Sequence, residues 1–169
     1  MLRVLINIFL LLFGFIINSN LFECIKLQGV KPDLFIIFIV SISVLRSDVE
    51  GAIFGFFAGF MCDIFFGRTL GFFALIYMFV GYLSTRPFKY FYRENYLIPM
   101  LLCFFVTIFF EIVTFALSFS MMENFFYAIN KIILPKAIYN TILILGIYPL
   151  IYLLNKKLEQ REIRNCNFF

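Results

Sequence analysis

The sequence predicts an all-α polytopic membrane protein of about six transmembrane helices, and three observations carry that expectation. Hydrophobic residues make up 63% of the 169 and charged residues 14%, against roughly 45–50% and about 25% in soluble globular chains. Apolar runs of helical length recur along the chain, divided by short charged stretches. Within one of them, "GAIFGFFAGFMCDIFFG" (51–67), a glycine or an acid returns at every fourth position. A soluble protein of this size could not cover so much apolar surface, so the bilayer must solvate most of it.

Taken in order, the expected spans are 4–22, 33–45, 49–66, 70–85, 97–120 and 132–154, within a single integral-membrane domain covering 1–169. The first, "MLRVLINIFLLLFGFIINSN", has the basic start of a signal peptide but no small-x-small cleavage site, and it reads as a retained span. The first, fifth and sixth reach the length of about 20 residues that a helix needs to cross; the third and fourth lie near the lower limit. The second, "DLFIIFIVSISVL", gives only about 20 Å of helix against a hydrocarbon core about 30 Å thick. It is either a short complete span or a partial span packed inside the protein, and the first is the expectation here. Pro32 suits a first helical turn.

The basic residues set the orientation. With both termini in the cytoplasm, the inner pieces hold Arg3, Arg46, Arg86, Lys89, Arg93, Lys156, Lys157, Arg161 and Arg164, and the outer ones Lys26, Lys31, Arg68, Lys131 and Lys136. "SMMENFFYAINK" reads as an interfacial amphipathic piece with Phe125, Phe126 and Tyr127 toward lipid, and "NKKLEQREIRNCNFF" as a solvated helix end.

Several function classes are unsupported. The chain has no histidine, and Cys24, Cys62, Cys103 and Cys166 show no paired spacing, so zinc sites and histidine acid–base chemistry are not expected. No cofactor is implied. A net charge of +4 spread along the chain argues against nucleic acid as a partner. An intramembrane enzyme would need a nucleophile and base, or metal ligands, at membrane depth, whereas the acids and serines here are isolated; catalysis is not expected.

Gly51, Gly55 and Gly59 are stacked four apart, drifting only about 40° per step on a helix of 3.6 residues per turn. They form a shallow groove on the third span. Helix association in lipid relies on close backbone contact and dispersion, which glycine permits best, so this face packs against a helix of the same chain or of a partner. Asp63 extends the same face, and Glu111 stands within the fifth apolar run. A charged acid near mid-bilayer costs about 2.5–3.5 kcal/mol on insertion scales, so each should be paired, protonated or near water. Two arrangements stay open: a common polar seam, with Asn7, Asn18, Asn140 or Arg68 as partners, or separate snorkelling.

The run from Lys31 to Leu83 resembles the core of the rod shape-determining protein MreD family. The residues that carry the likeness are Pro32, Asp33 and Leu34; Arg46; Gly51, Gly55, Phe56, Gly59 and Asp63; and Gly71, Gly81 and Tyr82, with Pro135, Tyr139 and Asn140 as a second island. Glu111 matches no family motif and inherits no role. The resemblance implies a fold like that of the substrate-binding S-components of energy-coupling-factor transporters. It also implies a non-enzymatic scaffold in the bacterial inner membrane that binds an MreC-like single-span partner. Through the elongation complex it would work with MreB, RodA and a transpeptidase to guide lateral peptidoglycan synthesis and rod shape. The rival reading is a small-molecule (vitamin) transporter subunit, for which the outer loops offer no evident polar cluster.

Overall fold

The computed structural model describes residues 2–18, 30–66, 70–85, 97–117 and 129–166. Six α-helices make up the chain there: α1 (Leu2–Ile16), α2 (Leu34–Leu45), α3 (Asp48–Phe66), α4 (Phe72–Thr85), α5 (Leu97–Leu117) and α6 (Leu134–Cys166). A π-helical turn, Ile129–Ile133, leads into α6. The expected interfacial piece around Phe125–Tyr127 lies outside the described residues. The stretch after Asn155 continues α6 as far as Cys166.

Leu97–Ala116 and Ile129–Gln160 are each long and apolar enough to cross a bilayer. Successive helices alternate in direction, because Asn7, Arg46, Glu50 and Asn155 meet at one end of the bundle and Asp33, Tyr77, Thr107 and Asn140 toward the other. The surface is apolar in long stripes, with Leu5, Phe9 and Phe13 exposed on α1 and Ile53, Phe57 and Ile64 on α3. In water such stripes would be a liability; in hydrocarbon they are the solvent-facing surface.

The second helix is the most enclosed. Eleven of the twelve residues of α2 are buried, and it touches every other helix of the bundle. Its length of about 18 Å is too short to cross alone. Protein encloses it on every side. That explains its lack of a polar stripe: Phe35, Ile36, Ile37, Ile39 and Val40 point in different directions and are all fully buried. The two serines on it satisfy their hydroxyls within the protein, Ser41 donating to the carbonyl of Ile37 and Ser43 to the carbonyl of Gly81 on α4.

The closest packing joins α3 to α4. A Cβ added at Gly55 would overlap the carbonyl of Tyr77, and one at Gly59 would overlap Phe73 and the Cα of Ala74. Farther along, a Cβ at Gly81 would strike the carbonyl of Gly51, and one at Gly51 would strike Ser43 on α2. Backbone lies against backbone, the arrangement in which small residues give membrane helices their dispersion contact. The glycine groove is filled from within the chain.

Gly146, by contrast, faces open space. Gly55→Ala should therefore lower stability by at least the 1–3 kcal/mol typical of overpacking, because backbone cannot yield as a side-chain tip can. Gly146→Ala should leave it unchanged or raise it by up to about 1 kcal/mol through helix propensity. Thermal unfolding of both variants in detergent, followed by circular dichroism, checks the contrast.

Candidate functional site

Polar groups gather at the two ends of the bundle and at one helix cap. At the first end, the chain enters α2 in an extended conformation with Asp33 as the N-cap residue. One carboxylate oxygen of Asp33 accepts from the backbone N–H of Phe35 at 3.1 Å, satisfying a helix-terminal donor. The other accepts from the Tyr77 hydroxyl of α4 at 2.5 Å. The backbone N–H of Asp33 donates to the side-chain oxygen of Asn140 on α6 at 2.9 Å. Asn140 in turn donates to the Thr107 hydroxyl of α5 at 3.2 Å, and Thr107 donates to the carbonyl of Cys103 at 2.7 Å. Asp33, Tyr77, Thr107 and Asn140 are all buried, so the network joins α2, α4, α5 and α6 without water.

Beside it Lys136 of α6 forms an ion pair with Glu111 of α5, both side chains largely buried. Lys136, counted among the outer basic residues, lies on α6, as the expected sixth span of 132–154 has it. The pairing also answers why a carboxylate sits inside α5: its counter-charge is on the neighbouring helix.

Around these groups lies a cavity of about 350 Å³ lined by residues from Asn18 to Lys136, including Pro32, Asp33, Cys62, Phe73 and Glu111. Tyr77 and Phe110 form part of its wall as stacked rings, 4.7 Å between centroids and 12° apart in plane.

At the opposite end, Arg46 follows α2. Its guanidinium donates through Nε to Asn155 of α6 at 3.0 Å, and through one terminal nitrogen to Asn7 of α1 at 2.9 Å and Glu50 of α3 at 3.2 Å. Only 6% of its side chain is exposed. One planar cation thus ties four helices, a task suited to the fixed fork of arginine and poorly suited to lysine.

Asp63 has a third role. One oxygen accepts from the backbone N–H groups of Gly71 and Ala74, the other from that of Phe73, each at 3.0 Å. It caps α4 from the neighbouring helix, where free N–H groups and the positive end of the helix dipole stabilise an anion. Gly71 makes the cap possible: its φ of +94° lies in the left-handed region that side chains rarely adopt. The common seam of Asp63 and Glu111 is therefore corrected, since the first binds backbone and the second binds Lys136. Asn7 and Asn140, considered as partners for those acids, serve Arg46 and the Asp33 network instead; Asn18 lines the cavity, and Arg68 lies outside the described residues.

Other residues singled out in the sequence fall elsewhere. Phe56 and Tyr82 are exposed on the outer surface, while Pro135 and Tyr139 are half-buried near the start of α6. Tyr77, Thr107 and Asn155 escaped the sequence reading. Tyr77 carried one faint signal: it lies one helical turn before Gly81, on the same face. Among the described residues no three His, Cys, Asp or Glu side chains gather as a metal shell.

Two outcomes follow from these contacts. Asp63→Asn keeps one carbonyl oxygen but turns an NH₂ group toward a backbone donor, so it should destabilise less than Asp63→Leu, which strips all three N–H groups of their acceptor at about 1–3 kcal/mol for each left unsatisfied. Lys136→Met alone should cost about 3–5 kcal/mol by stranding Glu111, and Lys136→Met with Glu111→Gln should cost less than that single change. Unfolding of the purified variants in detergent, compared as a double-mutant cycle, measures both.

Comparison with known proteins adds one positive finding. No curated protein matches the chain, and no solved structure does. The family model described as rod shape-determining protein MreD matches residues 1–158. That span takes in the glycine face, the Asp63 cap and both polar clusters, and the chain belongs to the MreD family of rod shape-determining membrane proteins.

Proposed function

We propose that this protein is a non-enzymatic scaffold of the bacterial cell-elongation machinery, forming a single integral domain that crosses the cytoplasmic membrane several times with both termini inside. It holds an MreC-like single-span partner and, through the complex, acts with MreB, RodA and a transpeptidase in lateral peptidoglycan synthesis. Family membership supports the setting. The observation that carries the scaffold reading is the use made of the charged and polar motif residues. Arg46 ties four helices, Asp63 caps α4, and Asp33 with Asn140 braces α2 against α6. These groups are spent on rigidity, and a rigid body is what a docking platform requires.

With the glycine groove filled by α4, a partner helix would dock on an outward face. Phe56 stands on the outer side of α3, stacked near Phe60 and edge-on to Phe57. Aromatic rings of this kind supply large contact area to a passing helix. Gly51, Gly55 and Gly59 then serve the partner indirectly, by holding α3 in place.

The cavity of about 350 Å³ beside Asp33 favours a second reading, an S-component-like subunit that captures a small molecule for transport. Gentle solubilisation of the tagged protein separates the two. Recovery of a single-span coiled-coil protein supports the scaffold, while recovery of an ATPase pair with a bound small molecule supports transport. In the first case Phe56→Ser with Phe60→Ser should reduce recovery of the single-span protein several-fold without lowering the amount of folded bait. Unchanged recovery per folded molecule would remove α3's outer face as the docking site.

A further inference from the structure

We propose that the cavity beside Asp33 binds a compact zwitterionic amphiphile: a primary ammonium and a phosphate or carboxylate close together, attached to an apolar body. The inference does not depend on the scaffold reading. Its first support is the charge pattern of the lining. Two cations, Lys31 and Lys136, face the cavity together with two carboxylates, Asp33 and Glu111, so the formal charges cancel. A lone anion held by the lysines would lie against the Glu111 and Asp33 carboxylates, and a lone cation held by Glu111 would lie against Lys136. A zwitterion exchanges both partners at once, its ammonium for Glu111 and its anion for Lys136, and every charge stays paired.

The geometry admits this exchange. The Lys136–Glu111 bond uses Oε1 of Glu111 and one ammonium proton of the three that lysine carries. The side chains are 19% and 14% exposed, so the pair is reachable from the cavity without being open to the surroundings. Asp33 is differently placed, since both its oxygens already accept bonds from Phe35 and Tyr77; it fixes the floor while Glu111 and Lys136 bind.

The second support is the wall. Phe110 stacks on Tyr77 at 4.7 Å and lies 6.2 Å from Phe73, which is itself 6.4 Å from Tyr77, so the three rings form one aromatic cluster. That cluster suits the apolar body of the ligand and can face its ammonium. A volume of about 350 Å³ equals the liquid share of about a dozen waters, enough for a headgroup-sized molecule.

This chemistry has two sources, the headgroup of phosphatidylethanolamine in the bilayer and a free zwitterion such as phosphoethanolamine. Cys62 lines the same cavity and is a free thiol, so its alkylation reports occupancy. The full chain is reconstituted in phosphatidylglycerol vesicles, in vesicles containing phosphatidylethanolamine, and in phosphatidylglycerol vesicles with phosphoethanolamine added. N-ethylmaleimide labelling of Cys62 is then timed by peptide mass spectrometry. Several-fold slower labelling with phosphatidylethanolamine alone assigns the lipid; slowing by phosphoethanolamine as well assigns the headgroup chemistry whether free or lipid-borne. Either protection should disappear in the Lys136→Met, Glu111→Gln double variant and in Thr114→Phe, which fills the cavity and leaves the charges intact. Should the double variant not fold, Thr114→Phe decides. Equal labelling in all three preparations, or protection that persists in the variants, overturns the proposal.

Discussion

Contact between the backbones of α3 and α4 is the constraint on which the rest of the structure depends. Gly55 and Gly59 let α3 lie against the Tyr77 and Phe73 stretch of α4 with no side chain between them. Once the helices are that close, Asp63 reaches the N-terminus of α4 and takes up three of its backbone donors. The cap fixes the axial position of α4, and that position brings the Tyr77 hydroxyl to Asp33. Asp33 sets where α2 begins, and its own N–H engages Asn140 on α6. A shift of α4 by one helical turn, about 5.4 Å, would break the Asp63 cap and the Tyr77–Asp33 bond.

The same chain of contacts explains how a helix of about 18 Å can stand at the centre of a membrane protein. Lipid demands that a spanning segment satisfy its own backbone, and irregular backbone is tolerated at depth only where protein or a cavity surrounds it. α2 meets that condition on every side. The extended residues leading into it border the cavity, with Lys31, Pro32 and Asp33 in the lining. The backbone N–H of Asp33 donates to Asn140 in place of a helical carbonyl, and Tyr77 donates to the Asp33 carboxylate. At the far end Arg46 joins the end of α2 to side chains of α1, α3 and α6.

The polar residues therefore divide by function and not by sequence position. Asp63 and Glu111, two acids within apolar helices, have unlike partners: one meets backbone dipoles and the other a lysine. The first is a local cap that orients a helix pair. The second is an ion pair in the lining of a cavity.

Much of the architecture was legible in the sequence because hydropathy and glycine spacing are local properties. The expected edges of α3, α4 and α5 fall within a few residues of the observed helices, since charged residues and glycines punctuate them. The glycine beat announced a close helix contact, and the family resemblance singled out Arg46, Asp33 and Asn140. What the sequence could not fix was pairing across space. Lys136 falls inside the expected sixth span, but nothing local names Glu111 as its partner, and Tyr77 carries only its spacing from Gly81 until α4 is docked. By itself the sequence determined that the bilayer would be the solvent and that one helix face would be smooth, because composition and period suffice for both. The enclosure of α2, the partner of each acid and the cavity lined from α3, α4, α5 and α6 were decided only by tertiary packing, because each depends on how residues of different helices are placed relative to one another.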